Sequence, residues 1–183
     1  LNTLLPSILQ PSEIQESTIL EFGAGNSSFV QYCLDNNCSK FIANDIVPER
    51  LSLLPSDDRI DCFPGDFLDI NYSGKIDIVV ASLSMMFVCG MHDKFLSKIS
   101  SLLPVGGIFV NIEPNYYSPI SLLRLLLDPG APSRYFSPRK YFKSIESSGF
   151  AINTKRFFSV GRPFISNMMF FSPTFALRAT KIK

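Results

Sequence analysis

The strongest pattern in the chain is the sequence TILEFGAGNSS, which occupies residues 18–28. Its first five residues form a short apolar run, as expected of a strand that is buried on both faces of a sheet. Gly23 and Gly25 follow, and residues 27–37 then have the composition of a helix. Glycines at such a junction let the backbone approach a ligand closely, and the beginning of a helix offers N–H groups that lack partners. The pattern predicts a strand, a ligand-binding turn and a helix in succession.

The same alternation of apolar runs and helix-like segments continues towards residue 112. The runs that predict further strands lie at residues 40–44, 59–63, 76–81 and 107–112. Between the last two, residues 93–103 carry apolar side chains at helical spacing, so one face of this helix is expected to be buried. Strands and helices that alternate in this way predict a doubly wound α/β fold, with helices on both faces of a parallel sheet.

Beyond Pro114 the pattern changes, and it predicts two helices followed by two strands. The helices are expected at residues 118–127 and 138–148, and the strands at residues 151–159 and 174–181. The two strands are expected to pair antiparallel at the sheet edge. We therefore predict a Rossmann-like sheet of seven strands, mostly parallel, with an antiparallel C-terminal strand. The length of the chain favours a single domain over residues 1–183.

Acidic residues follow two of the predicted strands. Asp45 comes after the second strand, about twenty residues beyond the glycines, where a carboxylate can accept hydrogen bonds from both ribose hydroxyls. Asp66 follows the third strand and can accept a hydrogen bond from an adenine amino group. Each could instead be a loop residue or a helix cap, and the glycine turn could be a plain tight turn. A dinucleotide fold prefers a third glycine where this chain has Ser28, which disfavours an NAD-dependent oxidoreductase.

On these residues the chain resembles the class I S-adenosylmethionine-dependent methyltransferases over essentially its whole length. The resemblance implies S-adenosylmethionine as the cofactor and S-adenosylhomocysteine as the product. It implies methyl transfer by in-line displacement, with a side chain beside Asp66 packing on the adenine ring. The cofactor-binding residues that it implies are Glu21, Gly23, Ala24, Gly25, Asp45, Ile46, Asp66, Phe67, Ser82 and Leu83.

On the acceptor side, the chain looks like a bacterial branch of that family that acts on small or lipid-linked molecules, often in cell-surface glycan pathways. Residues 114–150 are then expected to be an acceptor-side insertion or lid. His92 and Glu113 are alternative general bases, although His92 could equally be an exposed residue at the beginning of a helix. The expected substrate-binding residues, some of which could be core positions, are Met85, Phe87, Asn115, Tyr116 and Tyr117.

The charge is unevenly distributed along the chain. Residues 1–113 hold 6 Lys and Arg against 14 Asp and Glu, whereas residues 114–183 hold 11 against 2. An anionic partner for the C-terminal part and pairing between the two halves both explain this asymmetry. The first interpretation leaves open an anionic acceptor, peripheral contact with a membrane through residues 121–127 and 164–175 beside Arg124 and Arg162, or a nucleic acid as a less favoured acceptor. The residues that favour a nucleic acid are Arg134, Tyr135, Phe136, Arg139, Lys140, Tyr141 and Phe142.

The four cysteines lie in or beside apolar segments and form no Cys-x-x-Cys pair. We predict that they are reduced and buried, and we predict no metal site. The expected location is cytoplasmic, with peripheral contact at the inner membrane face as a further expectation.

Overall fold

The computed structural model describes residues 7–88, 90–115, 117–127, 137–159, 162–166 and 172–183. Its centre is one mixed sheet with the strand order β3-β2-β1-β4-β5-β8-β6-β7. The strands are β1 Thr18–Phe22, β2 Lys40–Asp45, β3 Ile60–Pro64, β4 Ile78–Ser82, β5 Ile108–Pro114, β6 Phe150–Ser159, β7 Arg162–Ser166 and β8 Thr174–Lys181. Strands β1 to β5 are parallel, and β8 runs antiparallel to both β5 and β6.

The predicted fold class is confirmed, because all seven predicted strands are present and the order changes direction at β1 and β4. The prediction missed one short strand, β7, which pairs antiparallel with β6 at the edge of the sheet. Its second residue is Pro163, and proline is found within sheets mainly on edge strands because it cannot donate to the ladder. An edge strand tolerates proline, since one side of its backbone has no neighbouring strand.

Six α-helices lie among the described residues. They are α1 Pro11–Ile14, α2 Phe29–Asp35, α3 Pro48–Leu51, α4 His92–Leu102, α5 Pro119–Leu127 and α6 Pro138–Ser147. One apolar cluster joins α2 to the sheet through Phe29, Cys33 and Phe41. A second cluster, which contains Phe95 of α4 and Ile145 of α6, covers the other face. Helices therefore pack on both faces, as predicted.

Helix α6 is part of the core. It begins at Pro138 and is followed by Gly149 in a left-handed conformation, as the sequence predicts. Tyr141 and Phe142 are buried against Phe175 of β8. The leucines of α5 are exposed, in contrast to the buried face of α6, and the lid at residues 114–150 stays a prediction.

Helix α2 is two residues shorter at each end than predicted. The hydroxyl of Ser27 accepts the N–H of Phe29 at 3.1 Å, so the chain remains in the glycine turn until Ser28. At the other end, Asn37 has φ +56° and ends the helix.

The cysteines are only partly as predicted. Cys33 and Cys38 are buried free thiols, but Cys62 is exposed. Cys62 lies on β3, whose outer edge has no neighbouring strand, so the prediction of burial was wrong there. Cys89 lies outside the described residues. Among the helices that the structure describes, none combines the length and the apolar composition needed to cross a bilayer.

Candidate active site at the carboxyl edge of the sheet

The glycine turn after β1 is held tightly by its neighbours. The N–H of Ala24 donates to the carbonyl oxygen of Asn44 at 2.8 Å. Gly23 has φ +68°, and a Cβ added to it would lie 2.6 Å from the Cβ of Ser84. Glycine is therefore required at Gly23 both by its left-handed backbone and by its packing. The turn brings bare backbone to the carboxyl edge, where ligands bind in sheets of this kind.

Asp45 connects the end of β2 to this turn. Its Oδ2 accepts the N–H of Gly25 at 2.8 Å, and its Oδ1 accepts the N–H of Val47 at 2.9 Å. A carboxylate has about four acceptor positions, so these two bonds orient the group and leave acceptor capacity for hydroxyls. Ile46, the next residue, is 73% exposed. An oriented carboxylate beside an exposed apolar side chain fits a ribose that carries a flat base.

Asp66 lies at the end of β3 and is exposed. Its Oδ1 accepts the N–H of Leu68 at 2.9 Å and thereby caps a short 3-10 helix over Phe67–Asp69. Asn44 supports this turn from β2, because its side-chain amide donates to the carbonyl oxygens of Phe63 and Gly65 at 2.8 and 3.1 Å. The two predicted acids, Asp45 and Asp66, are thus held at the ends of paired strands.

The predicted role of Phe67 as a ring that stacks on adenine does not fit the structure. Its side chain is buried, and its ring centroid lies 4.7 Å from that of Phe22 and 5.8 Å from that of Phe95. The sequence pattern could not separate a surface ring from a core ring at this position. Ile46 is the exposed apolar neighbour that the site offers instead.

Glu21 is a buried acid beneath the turn. The hydroxyl of Ser27 donates to its Oε1 at 3.1 Å, whereas its Oε2 has no hydrogen-bond partner among the described residues. Burial raises the pKa of Glu21 to about 8, against the hydrogen bond from Ser27, which lowers it. Unpartnered buried oxygens are uncommon in native proteins. The oxygen is therefore available to a donor group of a ligand, such as the ammonium of an amino acid.

Two serines at the end of β4 share this property. The hydroxyls of Ser82 and Ser84 are buried without partners among the described residues. Between them, Leu83 has φ +55°, and its N–H donates to the carbonyl oxygen of Ile112 on β5 at 2.8 Å. A leucine in this conformation is strained, and strain of this kind is enriched at functional sites. The predicted residues Ser82 and Leu83 thus lie at the same edge as the glycine turn.

Glu113 does not fit the role of general base. Its side chain is 0% exposed. Its Oε1 accepts the N–H of Met85 at 2.8 Å and the amide of Asn111 at 3.2 Å, and its Oε2 accepts the N–H of Met86 at 3.2 Å. Burial raises the pKa of Glu113 to about 8, although these hydrogen bonds lower it. Glu113 therefore fixes the turn after β4 from below and does not face an acceptor.

Two of the predicted substrate-binding residues are also buried. Met85 belongs to the core, and Asn115 is fully buried with its amide donating to the carbonyl oxygen of Ser172 at 2.7 Å. The positions after a strand could be read from the sequence, but their side-chain directions could not. Phe87 is 69% exposed, as a surface that contacts an acceptor requires. Tyr116 lies outside the described residues, and the Tyr117 hydroxyl hydrogen-bonds that of Ser137 at 2.9 Å.

His92 is half-buried at the first position of α4. Its Nε2 donates to the carbonyl oxygen of Met85 at 3.3 Å, because a carbonyl can only accept, and its ring lies 5.6 Å from that of Tyr141. Burial lowers the pKa of His92, although the hydrogen bond and Asp93 oppose this effect. The lowered pKa favours a neutral imidazole, and the role of His92 as a base stays a prediction.

Three residues that shape the site were not predicted from the sequence. Asn44 holds the turn before Asp66, Ser27 contacts Glu21, and Ser84 packs against Gly23. The sequence did offer a signal, which is a small polar residue beside each predicted ligand-binding residue. Such residues are expected there because the backbone at a ligand-binding strand end needs hydrogen-bond partners of its own.

Comparisons with known proteins agree with this geometry. Residues 20–111, about half of the chain, match the family described as "Methyltransferase domain". No curated protein sequence matches the chain at a significant level. Among solved structures, a SAM-dependent methyltransferase from Archaeoglobus fulgidus has a TM-score of 0.75 and 18% identity, covering 98% of this chain and 92% of that one.

Two further structures have the same fold. The N-methyltransferase NodS from Bradyrhizobium japonicum, in complex with S-adenosyl-L-homocysteine, has a TM-score of 0.74 at 13% identity and covers 100% of this chain and 85% of its own. An S-adenosylmethionine-dependent methyltransferase from Mesorhizobium loti has a TM-score of 0.72 at 16% identity and covers 92% and 93%. At such low identity the likeness shows the fold.

Proposed function

Since this chain belongs to the methyltransferase-domain family, we propose that it transfers the methyl group of S-adenosylmethionine to an apolar small-molecule or lipid-linked acceptor. The observation that carries the acceptor class is the apolar surface around the end of β4, where Leu83, Phe87 and Met91 are all exposed. Exposed apolar side chains at a ligand-binding edge fit an apolar partner better than a polar one.

The residues of the edge fit the three parts of the cofactor. Asp45 is oriented to accept the ribose hydroxyls, and Asp66 with Ile46 flanks the place of the adenine. Glu21 offers a buried oxygen without a partner to the ammonium of the methionine part. When bound, the cofactor supplies a methyl group that is already activated by its sulfonium charge.

The contribution of this chain to the transfer is mainly positioning. Holding a nucleophile in line with a reacting carbon is worth about 7–11 kcal/mol, whereas a general base typically adds about 10²–10⁴-fold. Glu113 holds the turn that carries Met85 and Met86, so it keeps the acceptor surface in place without touching the acceptor. The turn after β4 and the glycine turn after β1 then determine the direction in which the acceptor approaches the cofactor.

A nucleic-acid acceptor has weaker support. Of the residues that favoured it, Arg134, Tyr135 and Phe136 lie outside the described residues. Tyr141 and Phe142 are buried in the core, so they cannot stack on bases while the fold is intact. The exposed Arg139 and Lys140 remain able to contact an anion.

A cytoplasmic location is part of the proposal.

The cofactor is tested by thermal unfolding with S-adenosylmethionine and with S-adenosylhomocysteine. At a concentration of about 100 times Kd, binding adds about 2.7 kcal/mol and raises Tm by about 5–10 °C. Asp45→Asn keeps one acceptor oxygen for Gly25 but loses the charge, so we expect the affinity to fall about 10- to 100-fold. Asp58→Ala, at an exposed loop position, is the matched control and should keep the full rise in Tm. A rise with NAD and none with either adenosyl compound would contradict the proposal.

The acceptor is tested with S-adenosylmethionine labelled in the methyl group, incubated with separated lipid, aqueous and RNA extracts. We expect label in the lipid fraction. Phe87→Ser should reduce that transfer while the rise in Tm with cofactor stays unchanged, and Leu53→Ser, an exposed apolar residue after α3, should change neither. Label in the aqueous or the RNA fraction alone would refute the apolar acceptor and leave the cofactor assignment standing.

A further inference from the structure

Helix α5 presents an apolar face that no part of the described chain covers. Leu122, Leu123, Leu126 and Leu127 are between 45% and 81% exposed. Because residues four apart lie above one another on a helix, these four form one continuous stripe. Single exposed leucines are ordinary, but four in the nine residues of Pro119–Leu127 make a patch of the kind that binds another apolar phase.

Helix α6 presents positive charge on its exposed face. Arg139, Lys140 and Lys143 are exposed, whereas the opposite face of the helix is buried in the core. The hydrogen bond between Tyr117 and Ser137 joins the residues that precede α5 and α6, so the two helices begin near each other. The segment after Pro114 holds 11 Lys and Arg against 2 Asp and Glu. One of these cations, Arg178, forms an ion pair with Glu13 of the N-terminal part, and it does not belong to α6.

The combination of an apolar stripe on α5 and a cationic face on α6, on two helices that begin near each other, points to one partner. We propose that α5 and α6 dock the protein on an anionic lipid bilayer, with the leucines of α5 in the interfacial layer and the cations of α6 at the lipid phosphates. Short amphipathic helices bind at this depth when apolar area and attraction to anionic lipids act together. The surface lies beyond β5, at the edge where the acceptor enters, so a lipid-borne acceptor reaches the site without crossing water.

A second copy of the chain is a poorer occupant of the same surface. A twofold interface places the same patch on both subunits, so Arg139, Lys140 and Lys143 would face their own copies. Like charges brought together at an interface oppose association. In the second stretch that the sequence suggests for membrane contact, residues 164–175, residues 167–171 lie outside the described residues, and Phe175 is buried in the core. The side chains of Arg124 and Arg162 lie outside the described ones as well. The proposal therefore rests on α5 and α6.

Vesicle co-sedimentation of the full chain without cofactor tests the proposal separately from methyl transfer. We expect binding to vesicles that contain about one third phosphatidylglycerol and little binding to phosphatidylcholine alone, with binding that weakens as salt is added. Leu126→Ser with Leu127→Ser should reduce the partition coefficient at least tenfold. Val105→Ser, at an exposed apolar turn at the opposite edge of the sheet, is the matched control and should bind as the wild type does.

Charge reversal isolates the contribution of α6. Lys140→Glu and Lys143→Glu should each weaken binding to anionic vesicles about fivefold or more, because each cation near such a surface contributes on that scale. Lys94→Glu, an exposed residue of α4, makes the same change in net charge and should have a clearly smaller effect. Circular dichroism of each variant confirms that it is folded.

Several outcomes would overturn the docking surface. They are no sedimentation at low salt, equal binding to both kinds of vesicle, and a dimer in sedimentation velocity that Leu126→Ser dissociates. Salt-sensitive binding to RNA that survives removal of the leucines would assign the cations of α6 to a nucleic acid instead. Failure of docking with methyl transfer to a lipid extract intact would leave the proposed function unaffected.

Discussion

Gly23 and Gly25 stand two residues apart in the same turn, yet they are glycines for different reasons. Both have positive φ angles, +68° and +54°. A Cβ added to Gly23 would lie 2.6 Å from the Cβ of Ser84, so that space is already filled. A Cβ added to Gly25 would have Oδ2 of Asp45 as its nearest neighbour, at 3.7 Å, which is an ordinary contact. Gly23 therefore serves packing between β1 and β4, and Gly25 serves the close approach of backbone to Asp45.

This difference predicts the cost of adding a methyl group. Gly23→Ala should lower the free energy of unfolding by about 2–5 kcal/mol, since a left-handed alanine costs about 1–2 kcal/mol and overpacking about 1–3 kcal/mol. Gly106 has φ +87°, and no described atom lies within 4 Å of a Cβ added there. For Gly106→Ala, therefore, only the cost of the left-handed backbone applies. Urea denaturation measures both.

Combining Gly23→Ala with Ser84→Gly removes the contact between the two Cβ atoms. The double variant should therefore be more stable than the sum of the single changes implies, by about 1–2 kcal/mol of coupling. Equal losses at Gly23 and Gly106, with no coupling to Ser84, would show that packing does not constrain the turn.

At the scale of elements, strand β8 stabilises the end of helix α4. The ammonium of Lys181, at the end of β8, donates to the carbonyl oxygens of Ser100 and Leu103 at 2.7 Å each. Carbonyls at the end of a helix lack partners within it, and that end carries partial negative charge. A cation there fixes the last turn of α4 against the sheet.

Replacing this lysine tests the connection. Lys181→Met keeps most of the apolar stem and removes the charge, so we expect a loss of about 1–3 kcal/mol in the free energy of unfolding. Lys183→Met, two residues further along, changes the same charge at an exposed position and should cost less than about 0.5 kcal/mol. Hydrogen exchange should rise at the last turn of α4 in the first variant only. Equal losses of stability and equal hydrogen exchange in the two variants would show that Lys181 does not stabilise α4.

The elements themselves were largely predictable, because apolar runs and helical spacing report burial directly. Strand β8 was predicted over the residues that it occupies, and the glycine turn with Asp45 and Asp66 was placed at the strand ends. The directions of side chains after a strand were not predictable. Glu113 and Asn115 follow the strand predicted at residues 107–112 in a pattern that suits a surface. Both point inwards, because the turn after β4 and the residues before β8 need their hydrogen bonds.

For the molecule as a whole, two buried acids set how stability depends on pH. Glu21 lies on the face of the sheet covered by α2, and Glu113 lies on the face covered by α4 and α6, as the alternation along β1 and β5 requires. Burial raises the pKa of each from 4.5 to about 8. Between these values the folded chain holds protons that the unfolded chain has released, so the contribution of these two acids to stability is fully present below about pH 4.5 and is lost as pH rises through about 8.

Neutral variants isolate this effect. From about pH 5 to about pH 8, each acid should lower the free energy of unfolding by about 1.4 kcal/mol per pH unit. Glu113→Gln and Glu21→Gln should each flatten the decline relative to the wild type, and the double variant should flatten it by the sum. Urea denaturation across this range measures the difference between proteins, which cancels the other titrating groups. The same pH dependence in all four proteins would contradict the assignment.

Strand β8 lies between β5 and β6, although it is synthesised after every other strand of the sheet. On the ribosome, β1 to β5 can pair as they emerge, but the hairpin of β6 and β7 has no place to attach until β8 is complete. About 67 residues separate Pro114 from Lys181, and at about 5–20 residues per second their synthesis takes about 3–13 s. During that time the nascent chain carries β5 as an apolar edge with its backbone groups unpaired, which is the surface that aggregation uses. The arrangement that completes the sheet thus also leaves an apolar strand edge exposed while the chain is being made, and a chaperone that binds such edges could cover it.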